Sequence, residues 1–187
     1  MRYAEFENIT TLRLLLRKIT MADAEAYFTR LASREPVTRY MTFDPQKDLS
    51  EAKASVEKSL ARLEAKTAYR WVIELPGEGL IGVIDLLAFD PSAGSCSFAY
   101  MLAEAFWGRG YGTEAVKAVF DFAFRKMEMN RIQADHMAEN GGSGAVMRKA
   151  GMRYLRTEAA KYEKNGIRYD APVYAITREE WLANPEA

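Results

Sequence analysis

The sequence predicts a single α/β domain with flanking helices and a mixed, mostly antiparallel sheet of about seven strands. Three segments rich in β-forming residues follow one another between residues 69 and 102, separated by turn sequences, as in an antiparallel meander. A strongly apolar helical segment then crosses over to another strand near Arg131, which makes the sheet mixed. The length of 187 residues and the 49% of hydrophobic residues suit one domain with a sizeable core. We expect it to span residues 1–187, with 183–187 as a short tail.

The N-terminal part of the chain predicts a strand, a helix and a loop. Residues 11–19 cluster apolar side chains as an opening strand does. Thr20 and Asp23 then form a typical N-cap pair for a helix over residues 21–33. Residues 34–47 hold two prolines among aromatic and apolar side chains, which predicts a long irregular loop that covers another part of the molecule.

The next segments predict a second helix and the meander. Asp48 and Glu51 form another capping pair. The apolar side chains after them share one helical face: Ala52, Val56, Leu60 and Leu63. The three predicted meander strands cover residues 69–75, 79–89 and 95–102.

The C-terminal part predicts two more helices and three more strands. Apolar positions between residues 115 and 127 indicate a long helix buried on the sheet. A short strand over residues 131–137 precedes a helix that begins near Asn140 and stops at Gly151, a good left-handed C′ residue. The predicted closing strands cover residues 152–158 and 169–177, with a turn at Asn165 and Gly166.

The composition excludes several classes of partner. Lys plus Arg and Asp plus Glu are equal at 26 each, so the chain lacks the positive charge that nucleic-acid binding demands. No apolar run approaches the roughly 20 residues of a membrane span, and the first residues do not resemble a signal peptide. Cys96 and His136 are the single cysteine and histidine, so we expect neither a disulfide nor a metal site. These features predict a cytoplasmic protein, monomeric or homodimeric, without nucleic-acid or membrane partners.

The most informative segment runs from Trp107 to Ala115 and has the sequence WGRGYGTEA. Its three glycines can adopt positive φ and let successive N–H groups turn toward one anion, while the following helix adds its N-terminal donors. The segment is therefore suited to binding phosphate. No Lys-Ser or Lys-Thr follows the last glycine, which excludes the Walker pattern.

Two other interpretations of this loop stay open. Residues 110–115 match G-x-G-x-x-A, the fingerprint of a nicotinamide-dinucleotide-binding protein, and Asp135 follows further along the chain. A Rossmann unit normally opens a domain of several parallel strands, whereas this loop follows a meander. Alternatively, the glycines serve only a tight strand-to-helix turn.

The glycine loop is one of several spaced motifs. The others are Tyr100-Met101-Leu102 at a strand end, Asn140-x-x-Ser143, Lys149-Ala150-Gly151-Met152, Gly82 in a middle strand, and the Asn165-Gly166 turn followed by Asp170 and Tyr174. With these motifs the chain resembles the GNAT acetyltransferase superfamily, most closely its RimJ/RimL-like branch of amine acetyltransferases. The resemblance spans nearly the whole chain and implies one N-acetyltransferase domain whose central pair of strands splays apart.

The resemblance also implies acetyl-CoA (coenzyme A) as the co-substrate. In the family the loop amides bind its pyrophosphate, a role that falls here on Arg109, Gly110, Tyr111, Gly112 and Thr113. The pantetheine arm of family members bonds to an exposed strand edge, which corresponds to Met101 and Leu102, and Asn140 would contact the arm from the far side.

Attack of an amine on a thioester requires a neutral amine, an N–H donor for the oxyanion and a proton for the leaving thiolate. The resemblance assigns the donor to the backbone of Met101 or Leu102 and the proton to Ser143, although Ser143 equally suits helix capping. Many relatives carry a glutamate base where this chain has Ser97. His136 is another candidate base because imidazole titrates close to pH 6.5, but a lone histidine is more often structural.

Other side chains are expected around the same cleft. The carboxylates near its mouth, as solvated charges or contacts to a substrate ammonium group, are Asp85, Glu104 and Glu139. The walls of the acceptor pocket are assigned to residues 36–43 and to Tyr162, Tyr169 and Tyr174. Tyr174 can instead place a phenol near the thioester sulfur, and the role of Asp170 is open.

We therefore predict an N-acetyltransferase that moves an acetyl group from acetyl-CoA to a primary amine by direct attack in a ternary complex. Without a strong base, amines of low pKa are favoured: an α-amine with pKa near 8 is roughly a tenth neutral at pH 7, whereas a lysine near 10.4 is neutral only about four parts in ten thousand. The acceptor is then a protein N-terminal α-amine or a small-molecule amine. Cys96 has no activating cation beside it, which argues against a ping-pong route. The alternatives are a non-catalytic acyl-CoA-binding sensor and the nicotinamide-dinucleotide-binding protein.

Overall fold

A computed structural model of the chain describes residues 2–183 and contains one eight-stranded sheet. The strands are β1 (Ile9–Thr10), β2 (Leu15–Lys18), β3 (Tyr69–Leu75), β4 (Gly79–Asp90), β5 (Ser95–Leu102), β6 (Arg131–Asp135), β7 (Arg153–Lys164) and β8 (Ile167–Thr177). Their order in the sheet is β1-β2-β3-β4-β5-β6-β8-β7, and β5 with β6 is the one parallel pair among the described strands. The predicted mixed, mostly antiparallel α/β fold is confirmed, with one strand more than expected.

Six α-helices flank the sheet within residues 2–183. They are α1 (Ala24–Tyr27), α2 (Glu35–Thr38), α3 (Leu49–Glu64), α4 (Tyr111–Asp121), α5 (Gly141–Lys149) and α6 (Arg178–Ala183). Short 3-10 or π turns extend two of them, at Met21–Asp23 and Phe28–Ala32 around α1 and at Phe122–Lys126 after α4. Ala183 ends α6, and residues 184–187 of the predicted tail lie outside the described residues.

The predicted helix caps are present. The backbone N–H of Thr20 donates to the carboxylate of Asp23 at 2.8 Å, at the start of the first helical segment. The carboxylate of Asp48 accepts hydrogen bonds from the backbone N–H groups of Ser50 and Glu51, at 2.8 and 3.1 Å. These bonds satisfy donors that a helix N-terminus cannot pair internally, so the capping residues fix where both helices begin.

Two predicted boundaries differ from the structure. The opening strand predicted over residues 11–19 is shorter in the structure and is limited to β2, because the chain turns before it, with Thr11 N donating to Leu14 O at 2.9 Å. The segment over residues 34–47 is not wholly irregular, because α2 lies within it. Pro36 stands in the first turn of that helix, where its missing N–H removes no intrahelical bond.

The helix α4 packs its apolar face on the sheet, as the apolar positions predicted. Its buried side chains are Ala115, Val116, Val119 and Phe120. The Phe120 ring lies 5.0 Å from that of Phe98 on β5 and 5.9 Å from that of Trp181 on α6. This packing fixes the N-terminus of α4 at the end of β5.

The central strands β5 and β6 diverge after a short paired stretch. Ser95–Ser97 of β5 pair with Arg131–Gln133 of β6, and no pairing follows between these two strands as described. Beyond that point β5 stays with β4 as far as Leu102, and β6 stays with β8 as far as Asp135. The predicted splayed pair is confirmed, and the predicted strand over residues 131–137 ends at Asp135, where its pairing with β8 also ends.

The hairpin of β7 and β8 is longer than the two predicted closing strands. Asn165 and Gly166 form its turn with φ of 51° and 74°, as the turn sequence predicted. A β-bulge interrupts the pairing between Glu158 and Tyr162, and there Asp170 accepts a hydrogen bond from Ala160 N at 2.8 Å. Asp170 therefore supports the backbone of the hairpin.

Among residues 2–183, no helix is both long enough and apolar enough to cross a bilayer.

Candidate active site

A cleft of about 810 Å³ lies where β5 and β6 diverge. One wall consists of the end of β5 and the glycine loop, and another consists of residues 134–143. The cleft loop, defined here as residues 36–43, forms a third wall with Pro36, Val37, Tyr40, Met41 and Thr42. The sequence had predicted that this aromatic segment covers another part of the molecule, and it does so here.

The glycine loop carries the backbone geometry that its sequence predicts. Gly108 and Gly110 have φ of 71° and 84°, values that favour glycine strongly over residues with a side chain. Gly110 is the N-cap of α4, so the first N–H groups of this helix have no partner one turn earlier. A Cβ atom at Gly112 would lie 3.4 Å from the Tyr100 ring and 3.6 Å from Val146. The loop thus presents helix N-terminal donors at the cleft, a suitable site for an anion.

Most of the predicted coenzyme-binding residues line this cleft, but two do not. The lining includes Met101, Leu102, Gly110, Gly112, Thr113 and Asn140. Arg109 and Tyr111 instead contact Arg13 outside it: the guanidinium donates to Arg109 O at 3.0 Å and lies 4.4 Å from the centre of the Tyr111 ring.

An ionic clamp, formed by Thr11, Arg13 and Glu114, holds the loop against the turn between β1 and β2. The Glu114 carboxylate accepts from Thr11 Oγ1 at 2.6 Å, Arg13 N at 2.9 Å and Arg13 Nε at 2.7 Å, and Arg13 Nη2 lies 2.6 Å from it. Burial alone raises the pKa of Glu114, but these hydrogen bonds outweigh it and hold the pKa below its usual range. No local sequence pattern had predicted this clamp.

The edge of β5 presents selected backbone groups to the gap. Ala103 N donates to Ile81 O at 2.8 Å, and Met101 O approaches Gly82 so closely that a Cβ atom there would lie 2.5 Å away. These groups therefore point toward β4. Because successive residues of a strand alternate between its two neighbours, the N–H of Leu102 points toward the gap instead. Of the two predicted donors, this geometry favours Leu102.

Asn140 and Ser143 begin α5 on the opposite side of the gap. Asn140 is the N-cap, and its side-chain oxygen accepts from Ser143 N at 3.2 Å. The capping role therefore belongs to Asn140, and the Ser143 hydroxyl is not needed for it. Burial raises the pKa of Tyr100 to about 12 against an opposing hydrogen bond with Ser143, so this phenol is protonated at neutral pH.

His136 lies buried beside the cleft, with 8% of its surface exposed. Its Nδ1 is 2.8 Å from Met137 O, which requires the proton to be on Nδ1 in the neutral ring. Nε2 is buried and has no hydrogen-bond partner within residues 2–183. A Cβ atom at Gly144 would lie 2.7 Å from Nε2, so the glycine leaves room for the ring. His136 therefore lines the cleft, and its Nε2 is left without a partner among the described residues, in the buried space beside Gly144.

The other expected carboxylates divide between cleft and surroundings. Glu139 lines the cleft, together with Asp135, which accepts a hydrogen bond from the Tyr162 hydroxyl. Asp85 lies away from the cleft, where Arg70 Nε and Nη2 donate to its carboxylate at 2.7 and 2.9 Å. Glu104 pairs with an arginine at 3.3 Å and is not part of the cleft lining.

Only one of the three expected tyrosines lines the cleft. Tyr162 does so, whereas Tyr169 and Tyr174 do not. The Tyr174 hydroxyl accepts from Arg148 Nη1 at 3.2 Å, and its ring stacks on that of His136 at 5.8 Å. Tyr174 thus supports His136 from behind the cleft.

Cys96 is not a nucleophile in this arrangement. It is buried on β5, and burial raises the pKa of its thiol to about 12. The thiolate, which is the reactive form, is therefore scarce at neutral pH.

A mixed sheet whose central parallel pair opens over a glycine-capped helix is the architecture of a GNAT-type acyltransferase. The acetyltransferase (GNAT) domain family matches residues 13–153, and the chain belongs to this family. It is an acyltransferase of the GNAT type, a family whose members use acetyl-CoA.

A curated relative agrees with this assignment, and solved structures share the fold. The uncharacterized N-acetyltransferase YoaA of Bacillus subtilis (strain 168) is 29% identical over 174 residues, which cover 92% of this chain and 98% of that protein. RimJ of Mycobacterium smegmatis, solved in complex with CoA-disulfide, superposes with a TM-score of 0.83 at 23% identity over 96% of this chain and 95% of its own. RimL, a ribosomal α-N-protein acetyltransferase solved with coenzyme A, superposes with a TM-score of 0.84 at 20% identity. The match covers 91% of this chain and 98% of the RimL chain.

We expect Glu114→Gln to destabilise the protein at pH 7 by about 1–2 kcal/mol, because it weakens a charge-assisted clamp that is partly exposed. Because the pKa of Glu114 is lower in the folded protein, this stabilisation is present at pH values above the ordinary pKa of glutamate. It is lost as the pH falls through the lowered pKa. Urea unfolding at pH 7 and near pH 3 should therefore show a difference that shrinks on acidification. Glu163→Gln, in an exposed ion pair, is the control. An equal difference at both pH values would contradict the role of charge.

Proposed function

We propose that this protein, as a single domain over residues 1–187, transfers an acetyl group from acetyl-CoA to a primary amine by direct attack in a ternary complex. The observation that carries the proposal is the gap between β5 and β6, with the N-terminus of α4 at one end and the N–H of Leu102 facing it. A gap of this kind admits an extended chain along a strand edge and an anion at the helix terminus.

The described residues fit coenzyme A. We assign its diphosphate to the amides around Gly110, Gly112 and Thr113, which line the cleft, and the positive φ of Gly110 supports this assignment. We assign the amides of Arg109 and Tyr111 to the same role, with Arg13 holding that part of the loop from outside. The pantetheine arm then follows Met101 and Leu102, with Asn140 across the gap.

The chemistry follows from the groups around the gap. The amine nitrogen attacks the thioester carbon, a C–N bond forms and the C–S bond breaks. The N–H of Leu102 stabilises the negative charge that develops on the carbonyl oxygen. Nε2 of His136 accepts the proton released by the amine, and the Ser143 hydroxyl gives a proton to the departing thiolate. The Tyr100 phenol, which is protonated and hydrogen-bonded to Ser143, can then return a proton to the Ser143 oxygen.

The acceptor that we favour is an α-amine at a peptide N-terminus. A single imidazole is a modest base, and an α-amine needs less help than a lysine because more of it is neutral at pH 7. Glu139 at the cleft wall suits a positively charged substrate before deprotonation, whereas Asp135 is already paired with Lys161 at 2.7 Å. RimL, which shares this fold, is an α-N-protein acetyltransferase, and this supports the same choice. Small-molecule amines, including polyamines, aminoglycosides and amino-acid derivatives, are the other acceptor class.

A second candidate function is an acyl-CoA-binding sensor without catalysis. Ser97, at the position of the family glutamate, lines the cleft and supplies no base, which favours this alternative. The nicotinamide-dinucleotide interpretation is not retained, because the described sheet has one parallel pair and not the several parallel strands of a Rossmann domain.

Acetyl-CoA should raise the melting temperature in proportion to the logarithm of its concentration, whereas NAD(H) should not. Gly112→Trp should abolish this shift, because the indole would occupy the cleft beside Tyr100 and Val146. Gly112→Ala should retain it, since a methyl group there meets both neighbours at ordinary contact distances of 3.4 and 3.6 Å.

Thiol release should then be measured with peptides bearing free or blocked N-termini, polyamines and aminoglycosides. Binding without thiol release from any amine would support the sensor.

Ser143→Ala should lower kcat by about tenfold to a hundredfold and leave the affinity for acetyl-CoA nearly unchanged, because it removes a general acid but no cap. Ser143→Thr, which keeps a hydroxyl, is the matched control. Steady-state thiol release and the thermal shift measure the two effects. Full turnover in Ser143→Ala would assign the hydroxyl no catalytic part.

His136→Gln should remove the acidic limb of the pH profile of kcat/KM, because an imidazole base must be unprotonated before it can accept a proton from the amine. Glutamine keeps a polar side chain but cannot take up the proton. The profile should be measured from pH 5.5 to pH 9 with one α-amine substrate. An unchanged limb in the variant would exclude His136 as the base.

A further inference from the structure

Lys164, at the tip of the hairpin between β7 and β8, reaches the cleft loop across the molecule. Its Nζ donates hydrogen bonds to the backbone oxygens of Thr38 at 2.8 Å, Met41 at 3.1 Å and Phe43 at 2.9 Å. An ammonium group has three N–H donors, and all three are used here. The three acceptors belong to one short loop, and each lies more than 120 positions before Lys164 in the chain.

The surroundings of Lys164 differ from those of the other charged side chains on the hairpin. Only 12% of its side chain is exposed, and the nearest carboxylate, that of Asp44, lies 4.0 Å from Nζ. By contrast, Arg168 and Glu163 pair with each other while 71% and 61% of their side chains remain exposed. Lys164 is therefore committed to backbone carbonyls in a partly buried position, where charge-assisted hydrogen bonds are strong.

The cleft loop depends on such contacts because no strand of the sheet includes it. Thr38 ends α2, and its carbonyl accepts from Met41 N at 2.8 Å as well as from Lys164. Met41 lines the cleft directly, and its carbonyl is bound to Lys164. A further tie is Gln46 N, which donates to Ala32 O at 2.8 Å beyond the end of the loop. Lys164 thus fixes both the middle and the end of this wall.

We propose that Lys164 is a positioning residue that holds the cleft loop over the amine side of the cleft. Lys164 does not line the cleft itself, and the glycine loop on the coenzyme side makes none of its hydrogen bonds. Acceptor binding should therefore depend on Lys164, whereas coenzyme binding should not. The assignment of the amine side rests on the proposed function.

The test compares Lys164→Met with Arg168→Met, a control from the same hairpin. In Lys164→Met, amide hydrogen exchange in residues 36–47 and KM for the amine should each rise at least about tenfold, since three charge-assisted bonds are lost. KM for acetyl-CoA and its thermal shift should stay within about twofold of wild type, since that site is separate. Arg168→Met should match wild type in every measurement.

Rescue distinguishes the ammonium group from a general loss of packing. Lys164→Cys treated with 2-bromoethylamine regains an ammonium group at nearly the same length, while the other cysteine, Cys96, is buried with its thiol pKa raised to about 12. Recovery of both loop protection and amine KM supports the proposal. Unchanged exchange and amine KM in Lys164→Met would overturn it. If the wild type acetylates no amine, the proposed function fails, while the exchange data still decide whether Lys164 holds the loop.

Discussion

The divergence of β5 from β6 is the constraint on which the rest of the site depends. Each strand is held on its outer side, β5 by β4 as far as the pair Gly82 and Leu102, and β6 by β8 as far as Asp135 and Val173. Within the described residues the inner edges do not pair with each other beyond Ser97 and Gln133, so their backbone groups need partners of another kind. Trp107 supplies one, because its indole N–H donates to Leu102 O at 2.6 Å. The remaining edge is left for a substrate.

The two sides of the cleft are supported in different ways. The side that we propose for the coenzyme is built on the start of α4, which the core packing and the Glu114 clamp fix in place. The side that we propose for the amine includes the cleft loop, which lies outside the sheet and is tied to it by Lys164. Binding sites placed on regular elements are held more accurately than sites placed on loops. The arrangement suits a fixed co-substrate and an acceptor wall that can vary between relatives.

Local patterns made much of the fold predictable. The limits of β3 and β5 agree with the prediction because runs of β-forming residues there end at clear turn sequences. The glycines of residues 107–115 likewise predicted the positive φ angles that the loop adopts at Gly108 and Gly110. The clamp and the Lys164 contact were not predictable, since their partners lie 101 and 126 positions apart and leave no local signal. Asp85 was predicted at the mouth of the cleft, but it lies away from the cleft lining. It pairs instead with Arg70, which stands opposite it on the adjacent strand.

The position of Trp107 gives the protein an optical property. The chain has three tryptophans, and Trp71 and Trp181 are buried with 0% and 7% of their surfaces exposed. Trp107 is 48% exposed and is bonded to the strand edge at the mouth of the gap. Trp107 therefore gives the red-shifted, quenchable part of the tryptophan fluorescence. A molecule bound in the gap changes the polarity around this indole, while the emission of the buried Trp71 and Trp181 stays constant.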